Sequence, residues 1–252
     1  MPFDFRDAEI ARADGAHRLD RALTHFKVLT FDVVGTLIDF EAGLTGGLAA
    51  IAADHGVTVD GEAALAIYQD CRRDADADKF PDVARCYDVI AARTGLPQGP
   101  EHGARMVEAV AAAPAFSDSV EALSRLSRRF KLIAMTNAQR WAFERFAQEL
   151  GQPFHKGFTA DDTGTEKPDP AFFDFVLADL AKEGFGKADI LHVAQSQYHD
   201  IGISRRLGLT NCWIERRHGR SGTGGTIAPE SFTRPDFHFT SLAALADAVE
   251  AQ

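Results

Sequence analysis

The chain has 252 residues, of which 45% are hydrophobic, and it carries a formal net charge of -10 at pH 7. A chain of this length can bury one substantial core and a smaller second one, so one or two domains are expected. The negative charge repels nucleic acids and anionic membrane surfaces, and it favours a small molecule as the binding partner. No run reaches the roughly 20 apolar residues that a membrane span needs.

Residues 1–25 mix acids with apolar residues at loose helical spacing. This pattern predicts a helical extension that packs on the body of the protein or on a second copy, so a homodimer is left open. The segment lacks the apolar core of a signal peptide. The three cysteines, Cys71, Cys86 and Cys212, show no metal-binding spacing and are expected to be reduced thiols. These features predict a cytoplasmic protein.

Short apolar runs alternate with helical patterns along most of the chain. The first run, residues 26–34, is too short for a helix and apolar on both faces, as in a buried parallel strand. Further strands are predicted over residues 131–137, 156–160, 189–196, 210–215 and 236–241. Helices are predicted over residues 119–130, 140–150, 170–184, 201–208 and 241–252. The alternation predicts an α/β fold with a doubly wound, mostly parallel sheet.

Residues 43–113 break this alternation, because they are rich in alanine, acids and other helix formers and contain no convincing strand. They are predicted to form a helical cap inserted after the first strand, with residues 26–42 and 114–252 as the core. The loop over residues 219–231, "GRSGTGGTIAPES", lacks the Lys-Ser/Thr ending of a phosphate-binding loop. It is predicted to be flexible.

Polar residues follow several predicted strands at the edge of the sheet where ligands bind in parallel α/β folds. They are Asp32 and Thr36, Thr136 and Asn137, Lys167 in "EKPDP", and Gln195, Gln197 and Asp200 in "AQSQYHD". Taken singly, Asp32 can cap a turn, Asn137 and Asp200 can cap helices, and a lysine can lie on the surface. The set as a whole predicts an active site.

The order of these residues resembles the haloacid dehalogenase superfamily over residues 26–250. Asp32 stands in a first motif, DxxGTL, Thr136 in the second, Lys167 in a third motif, KPDP, and Asp200 in the fourth. The resemblance implies a Rossmann-like core, a helical cap over the site and an aspartate that acts as the nucleophile.

Elementary chemistry supports these roles. A carboxylate such as Asp32, partly desolvated at a strand end, can attack an electrophilic centre and divide a hard displacement into two easier steps. The charge of Lys167 would keep Asp32 ionised. Thr136 and Asn137 can donate hydrogen bonds to an anionic substrate, and Asp200 would hold Lys167 or position a water molecule.

Two departures separate this chain from the phosphatases of the superfamily, which share a DxDxT motif and bind magnesium. Val34 stands at the place of the second acid and cannot transfer a proton to or from a leaving group. Gln195 replaces an acid of the fourth motif, although magnesium prefers charged oxygen ligands. The chain thereby resembles the L-2-haloacid dehalogenase (type II) branch, which implies an enzyme without metal or cofactor.

The branch implies displacement of a leaving group, expected to be halide, from C2 of a short 2-haloalkanoic acid by Asp32. Water then hydrolyses the aspartyl ester and releases a 2-hydroxy acid of inverted configuration. Gln195 and Gln197 fall where the branch has residues that hold the lysine and the water. Val34 and Phe173 stand where these enzymes usually carry aromatic side chains, often tyrosine.

Arg72 and Arg73 lie in the part of the cap where an arginine receives the halide, although a solvated helix face explains them equally well. Three alternatives stay open. They are opening of a strained ring amino acid such as azetidine-2-carboxylate, an atypical phosphatase, and a non-catalytic protein that binds small anions. The joint retention of all four motifs speaks against the last.

Overall fold

A computed structural model of the chain describes residues 22–73 and 83–252. The predicted N-terminal extension therefore lies almost wholly outside the described residues. Its end is a short 3-10 turn, Leu23–His25, and the Leu23 side chain is buried in the core. Within the described ranges, no helix is long and apolar enough to cross a membrane.

Six strands in the described part of the chain form one parallel sheet. They are β1 (Val28–Phe31), β2 (Lys131–Met135), β3 (Lys156–Phe158), β4 (Ile190–Ala194), β5 (Thr210–Ile214) and β6 (Phe237–Phe239). Their order is β3-β2-β1-β4-β5-β6, so the chain winds outward on one side of β1 and returns to wind outward on the other. A crevice for ligands lies at the carboxyl ends of β1 and β4, where the winding reverses.

Helices cover both faces of the sheet and confirm the doubly wound fold. They are α5 (Ser119–Ser127), α6 (Arg140–Glu149), α7 (Ala160–Thr163), α8 (Pro170–Lys182), α9 (Gly202–Arg206) and α10 (Leu242–Glu250). Leu29 and Phe31 of β1 pack in the cluster that α5, α6 and α10 cover. Val28 packs in the opposite cluster, which α8 and α9 cover. Burial on both faces explains why β1 is continuously apolar.

The segment between β1 and α5 is helical where the structure describes it. Its helices are α1 (Phe40–Asp54), α2 (Gly61–Arg73), α3 (Val83–Thr94) and α4 (Pro100–Ala111). These helices enclose their own apolar cluster, which includes Leu48, Tyr87, Ile90 and Met106 and is separate from the two clusters at the sheet. The cap therefore has a small core of its own.

Gly47 lets α1 approach α4 closely. A Cβ atom added at Gly47 would lie 2.7 Å from the Cβ of Ala109 and 2.9 Å from the Sδ of Met106. Gly46, one residue earlier on the same helix, has open space where its Cβ would be. The two positions share a helix and differ in packing.

We expect Gly46→Ala to raise the free energy of unfolding by about 0.5–1 kcal/mol, because alanine favours the helix. Gly47→Ala should be less stable than Gly46→Ala by about 1–3 kcal/mol, since its methyl group overpacks the contact with α4. Urea denaturation of both variants measures the difference. Equal stabilities would show that the approach of α1 to α4 does not require glycine.

Candidate active site

The turn after β1 presents Asp32 at the carboxyl edge of the sheet. The backbone N–H of Asp32 continues the ladder by donating to the carbonyl of Val193, 3.0 Å away. Gly35 then adopts a φ of +86°, which glycine tolerates best, and the chain turns back on itself. The turn brings the Thr36 hydroxyl within 2.6 Å of Asp32 Oδ2, to which it donates.

Lys167 joins two buried carboxylates. Its ammonium group donates to Asp32 Oδ1 at 2.9 Å, to Asp200 Oδ1 at 2.7 Å and to the carbonyl of Met135 at 2.8 Å. An ammonium has three donors, so all of them are used. The Lys167 side chain is only 1% exposed, which removes it from the class of surface lysines.

His192 is a member of the site that the sequence patterns did not single out. It is fully buried in β4, with Nε2 3.0 Å from Asp200 Oδ1 and Nδ1 2.9 Å from the Thr30 hydroxyl. It therefore orients Asp200 from behind. The signal in the sequence was a single polar ring within the apolar run "ILHVA".

Burial and charge act in opposite directions on these groups. Burial raises the pKa of Asp32, an effect that Lys167 opposes and Asp200 reinforces. At Asp200, burial also works to raise the pKa, but Lys167 and His192 outweigh it and hold the value at about 2. Burial alone would lower the pKa of Lys167, but the two carboxylates raise it, so the ammonium keeps its charge.

The second-motif residues hold the backbone around the site. The Thr136 hydroxyl is fully buried and accepts a hydrogen bond from the N–H of Ala138. The Asn137 amide accepts from the N–H of Lys167 at 2.8 Å and donates to its carbonyl at 2.9 Å. Thr136 is therefore not placed for the predicted contact with a substrate anion, whereas Asn137 lines the cavity described below and the contact stays a prediction for it.

Two further predictions of side-chain placement are corrected. Gln197 lies in the π-helical turn Gln197–Ile201, and its Oε1 accepts from the N–H of Thr233, away from Lys167. Phe173, a residue of α8, is fully buried, and its ring lies 5.5 Å from the ring of His192. Phe173 thus packs behind the site and does not touch the cavity.

A cavity of about 690 Å³ opens above Asp32. Val34 and Gln195 line it beside Asp32, as expected for substrate-contacting residues. Much of the remaining wall is apolar or aromatic, with contributions from Phe40, Tyr68, Val110, Phe116, Trp141, Phe146 and Ile227. Among these cavity-lining residues, Tyr68 and Trp141 were not indicated by any sequence pattern.

The two arginines predicted for the cap separate in space. Arg72 lines the cavity, with its guanidinium 3.6 Å from Glu166 Oε2. Arg73 is exposed and donates to Gln69 Oε1 on the same helix. Of the pair, only Arg72 is placed to meet a ligand.

The glycine-rich loop after β5 is bound to both parts of the molecule, contrary to its predicted flexibility. Gln69 of α2 donates to the hydroxyl of Thr223 at 2.7 Å and to the carbonyl of Thr226. The Gln195 amide donates to the hydroxyl of Thr226 at 2.8 Å. Arg217 forms ion pairs with Glu41 of α1 and with Glu62 of α2. The loop is therefore a wall of the cavity that ties cap to core.

The parallel sheet, the helical cap and the buried carboxylates at the sheet edge define a capped α/β protein of the Rossmann-like class. The family of haloacid dehalogenase-like hydrolases matches residues 26–201, more than half of the chain. The chain belongs to this family, which confirms the resemblance seen in its motifs. A comparison with curated protein sequences finds no match.

Solved structures show the same fold. The putative HAD-hydrolase YfnB from Bacillus subtilis, bound to magnesium, is 19% identical and has a TM-score of 0.73, over 89% of this chain and 99% of that one. A defluorinating L-2-haloacid dehalogenase is 19% identical with a TM-score of 0.72, over 91% and 98%. The L-2-haloacid dehalogenase from Xanthobacter autotrophicus is 18% identical with a TM-score of 0.68, over 90% and 99%.

The residues around Asp32 do not fit a magnesium site. Val34 has no oxygen in its side chain, and the Gln195 amide is bonded to Thr226. The Oδ1 atom of Asp200 already accepts from Lys167 and contacts His192, so of its two oxygens only Oδ2 has no partner among the described residues. In residues 22–73 and 83–252, no three His, Cys, Asp or Glu side chains are grouped to hold a metal ion. The positive charge next to Asp32 is the lysine.

Replacing Lys167 by methionine should lower the free energy of unfolding at pH 7 by about 3–5 kcal/mol, because two buried carboxylates lose their counter-charge. The loss should shrink as the pH is lowered toward 4. In the variant the folded-state pKa values of these acids lie above the unfolded ones, so protonation favours the folded state. Urea denaturation at several pH values measures both effects.

The matched control is Lys182→Met, which removes a lysine whose side chain is 76% exposed. Its free energy of unfolding should change by less than about 0.5 kcal/mol. If Lys167→Met were no worse than this control, the lysine would not carry the electrostatics of the cluster.

Proposed function

We propose that the protein is a metal-independent hydrolase that uses Asp32 to displace a leaving group from C2 of a 2-halocarboxylic acid. The observation that carries the proposal is the setting of Asp32. Its carboxylate is 7% exposed at the floor of the cavity and is held by Thr36 and Lys167, with Val34 two residues on. A desolvated and oriented carboxylate that is followed two residues on by a valine, and not by a second acid, suits attack at carbon.

In the first step an oxygen of Asp32 bonds to C2, and the halide leaves with the electron pair of the carbon–halogen bond. In the second step water attacks the side-chain carbonyl carbon of Asp32 and releases the 2-hydroxy acid. Lys167 stabilises the negative charge on the aspartate oxygens in both steps. Asp200, fixed by Lys167 and His192, keeps the lysine in place. Attack from the side opposite the halide inverts C2.

Arg72 is the group proposed to receive the departing halide, because it brings positive charge to the cavity wall from the cap. The substrate carboxylate would be positioned by polar groups at the sheet edge, including Asn137. Several solved structures with the same fold are L-2-haloacid dehalogenases, which supports the proposal that the leaving group is a halide.

The proposed activity is tested by incubating the protein with each enantiomer of 2-chloropropionate and with an aryl phosphate, with and without EDTA. We expect chloride release from one enantiomer and no effect of EDTA, because the proposed mechanism uses no metal. Ion chromatography measures chloride, and a colorimetric assay measures phosphate. Phosphate release that requires magnesium, without chloride release, would identify a phosphatase instead.

The nucleophile is tested by a single turnover in heavy-oxygen water. The label should enter the carboxyl group of Asp32 before it enters the product, because water attacks the carbonyl carbon of the ester. Mass spectrometry of the peptide that contains residue 32 detects it. Asp32→Asn should abolish halide release, and full activity of this variant would rule out the covalent mechanism.

The cavity also bears on the size of the substrate. Pockets of roughly 300–1,000 Å³ hold ligands much larger than a three-carbon acid, and the volume here, about 690 Å³, falls in this range. The aromatic walls favour an apolar substituent at C2. The proposed substrates are therefore 2-haloacids with a longer or aromatic side chain.

We expect the kcat/KM for 2-bromohexanoate to exceed that for 2-bromopropionate about tenfold or more, since each buried methylene contributes about 0.8 kcal/mol. Ala142→Leu, which narrows the wall formed by α6, should reduce this preference and spare 2-bromopropionate. Steady-state kinetics with both acids measure the ratio. A preference for the smaller acid would mean that the aromatic wall does not contact the substrate.

A further inference from the structure

Glu166 is a buried acid in the cavity to which the proposed displacement of halide assigns no role. It precedes Lys167 in the chain and lines the same cavity as Asp32. Its side chain is 17% exposed. The Oε1 atom is buried without a hydrogen-bond partner in the described part of the chain, and the Oε2 atom has one long contact, 3.6 Å, to Arg72.

An ionised carboxylate in this position would lack the hydrogen bonds that usually offset burial. Burial raises the pKa of Glu166 to about 7, although Arg72 and Lys167 both act to lower it. The groups that face Glu166 are Arg72 and Tyr68 of α2, and Lys167 of its own loop. About half of the Glu166 carboxyl groups therefore carry a proton at neutral pH, and Arg72 is next to the anion that remains once the proton has left.

Other acidic groups along the cavity are poorly placed to deliver a proton. Asp200 keeps a pKa of about 2, with Lys167 and His192 outweighing the effect of burial. Burial, reinforced by Arg72, lowers the pKa of His199 to about 3. Burial raises the pKa of Glu41, although Arg217 opposes this, but both of its oxygens are occupied: Oε2 by Arg217 and Oε1 by the N–H of Gly225.

We propose that Glu166 is a catalytic acid that protonates the leaving atom. This inference rests on the proposed attack of Asp32 at C2. The site would then accept carboxylic acids in which C2 carries a strained ring oxygen, as well as halides. Glu166 thereby supplies, from the loop before α8, the proton that Val34 cannot provide.

A three-membered ring ether at C2 would be opened and then hydrolysed in two steps. An oxygen of Asp32 bonds to C2 while the bond from C2 to the ring oxygen breaks. The ring oxygen keeps the electron pair and takes the proton of Glu166, which becomes a carboxylate beside Arg72. When water hydrolyses the aspartyl ester, its oxygen stays on Asp32, one hydrogen goes to the new hydroxyl group, and the other restores Glu166.

The test compares ring opening of oxirane-2-carboxylate with bromide release from 2-bromopropionate, because an alkoxide needs a proton to leave and bromide does not. Wild-type protein should react with both. Glu166→Gln, which has the same shape and no acidic proton, should lower the ratio of ring opening to bromide release by about 100-fold or more. Glu121→Gln, a change on the exposed face of α5, should leave the ratio unchanged.

The pH profile of wild-type protein is a second measurement, which needs no variant. At low pH both reactions should slow as Asp32 takes up a proton. Ring opening also requires protonated Glu166, so its rate should fall about tenfold per unit above about pH 7. Bromide release should lack this limb. In Glu166→Gln the limb should be absent from any residual ring opening.

Bromide release without ring opening by wild-type protein would overturn this inference and leave the proposed function standing. Equal falls in both reactions in Glu166→Gln, or the same high-pH limb in both, would reduce Glu166 to a structural role. Failure of wild-type protein to react with either acid would overturn both proposals together.

Discussion

The site depends on one ammonium group shared by two buried carboxylates. Lys167 contacts Asp32, Asp200 and the carbonyl of Met135 at 2.7–2.9 Å, so it links the carboxyl ends of β1, β2 and the turn after β4. The carboxylates of Asp32 and Asp200, which contact the same ammonium group, would repel each other without a cation between them. Lys167 allows both carboxylates to be buried, and His192 of β4 contacts Asp200 and holds it in place.

This arrangement follows from the order of the sheet. The chain leaves β1 toward β2 and β3, then returns to β4 on the other side of β1, which leaves a crevice at the reversal. Asp32 stands in the centre, and its partners come from the neighbouring strand ends. The cap and the glycine-rich loop over residues 219–231 close the crevice from above, held by Gln69 and by the ion pairs of Arg217, which precedes the loop.

The chemistry of the cavity is asymmetric. Its floor carries a charged cluster in which Lys167 pairs with Asp32 and Asp200, which suits a fixed nucleophile and stable charges. Facing the cap is the carboxyl group of Glu166, which belongs to the core and has an unpartnered oxygen and a long contact to the guanidinium of Arg72. The proposed nucleophile, Asp32, is thus separated from Arg72 and Glu166, the groups proposed to receive or protonate the leaving atom.

The fold was predictable because the spacing of apolar residues along the sequence indicates its strands and helices. Parallel strands then place their carboxyl ends at one edge of the sheet. The sequence by itself therefore determined the parallel α/β core, the helical character of the cap, and the meeting of Asp32, Thr36, Lys167 and Asp200. Only the tertiary structure decided where side chains point: Gln197 turns away in a π-helical turn, Phe173 packs behind His192, and Glu166 meets Arg72 across cap and core. Those directions depend on contacts between distant segments, which local spacing does not encode.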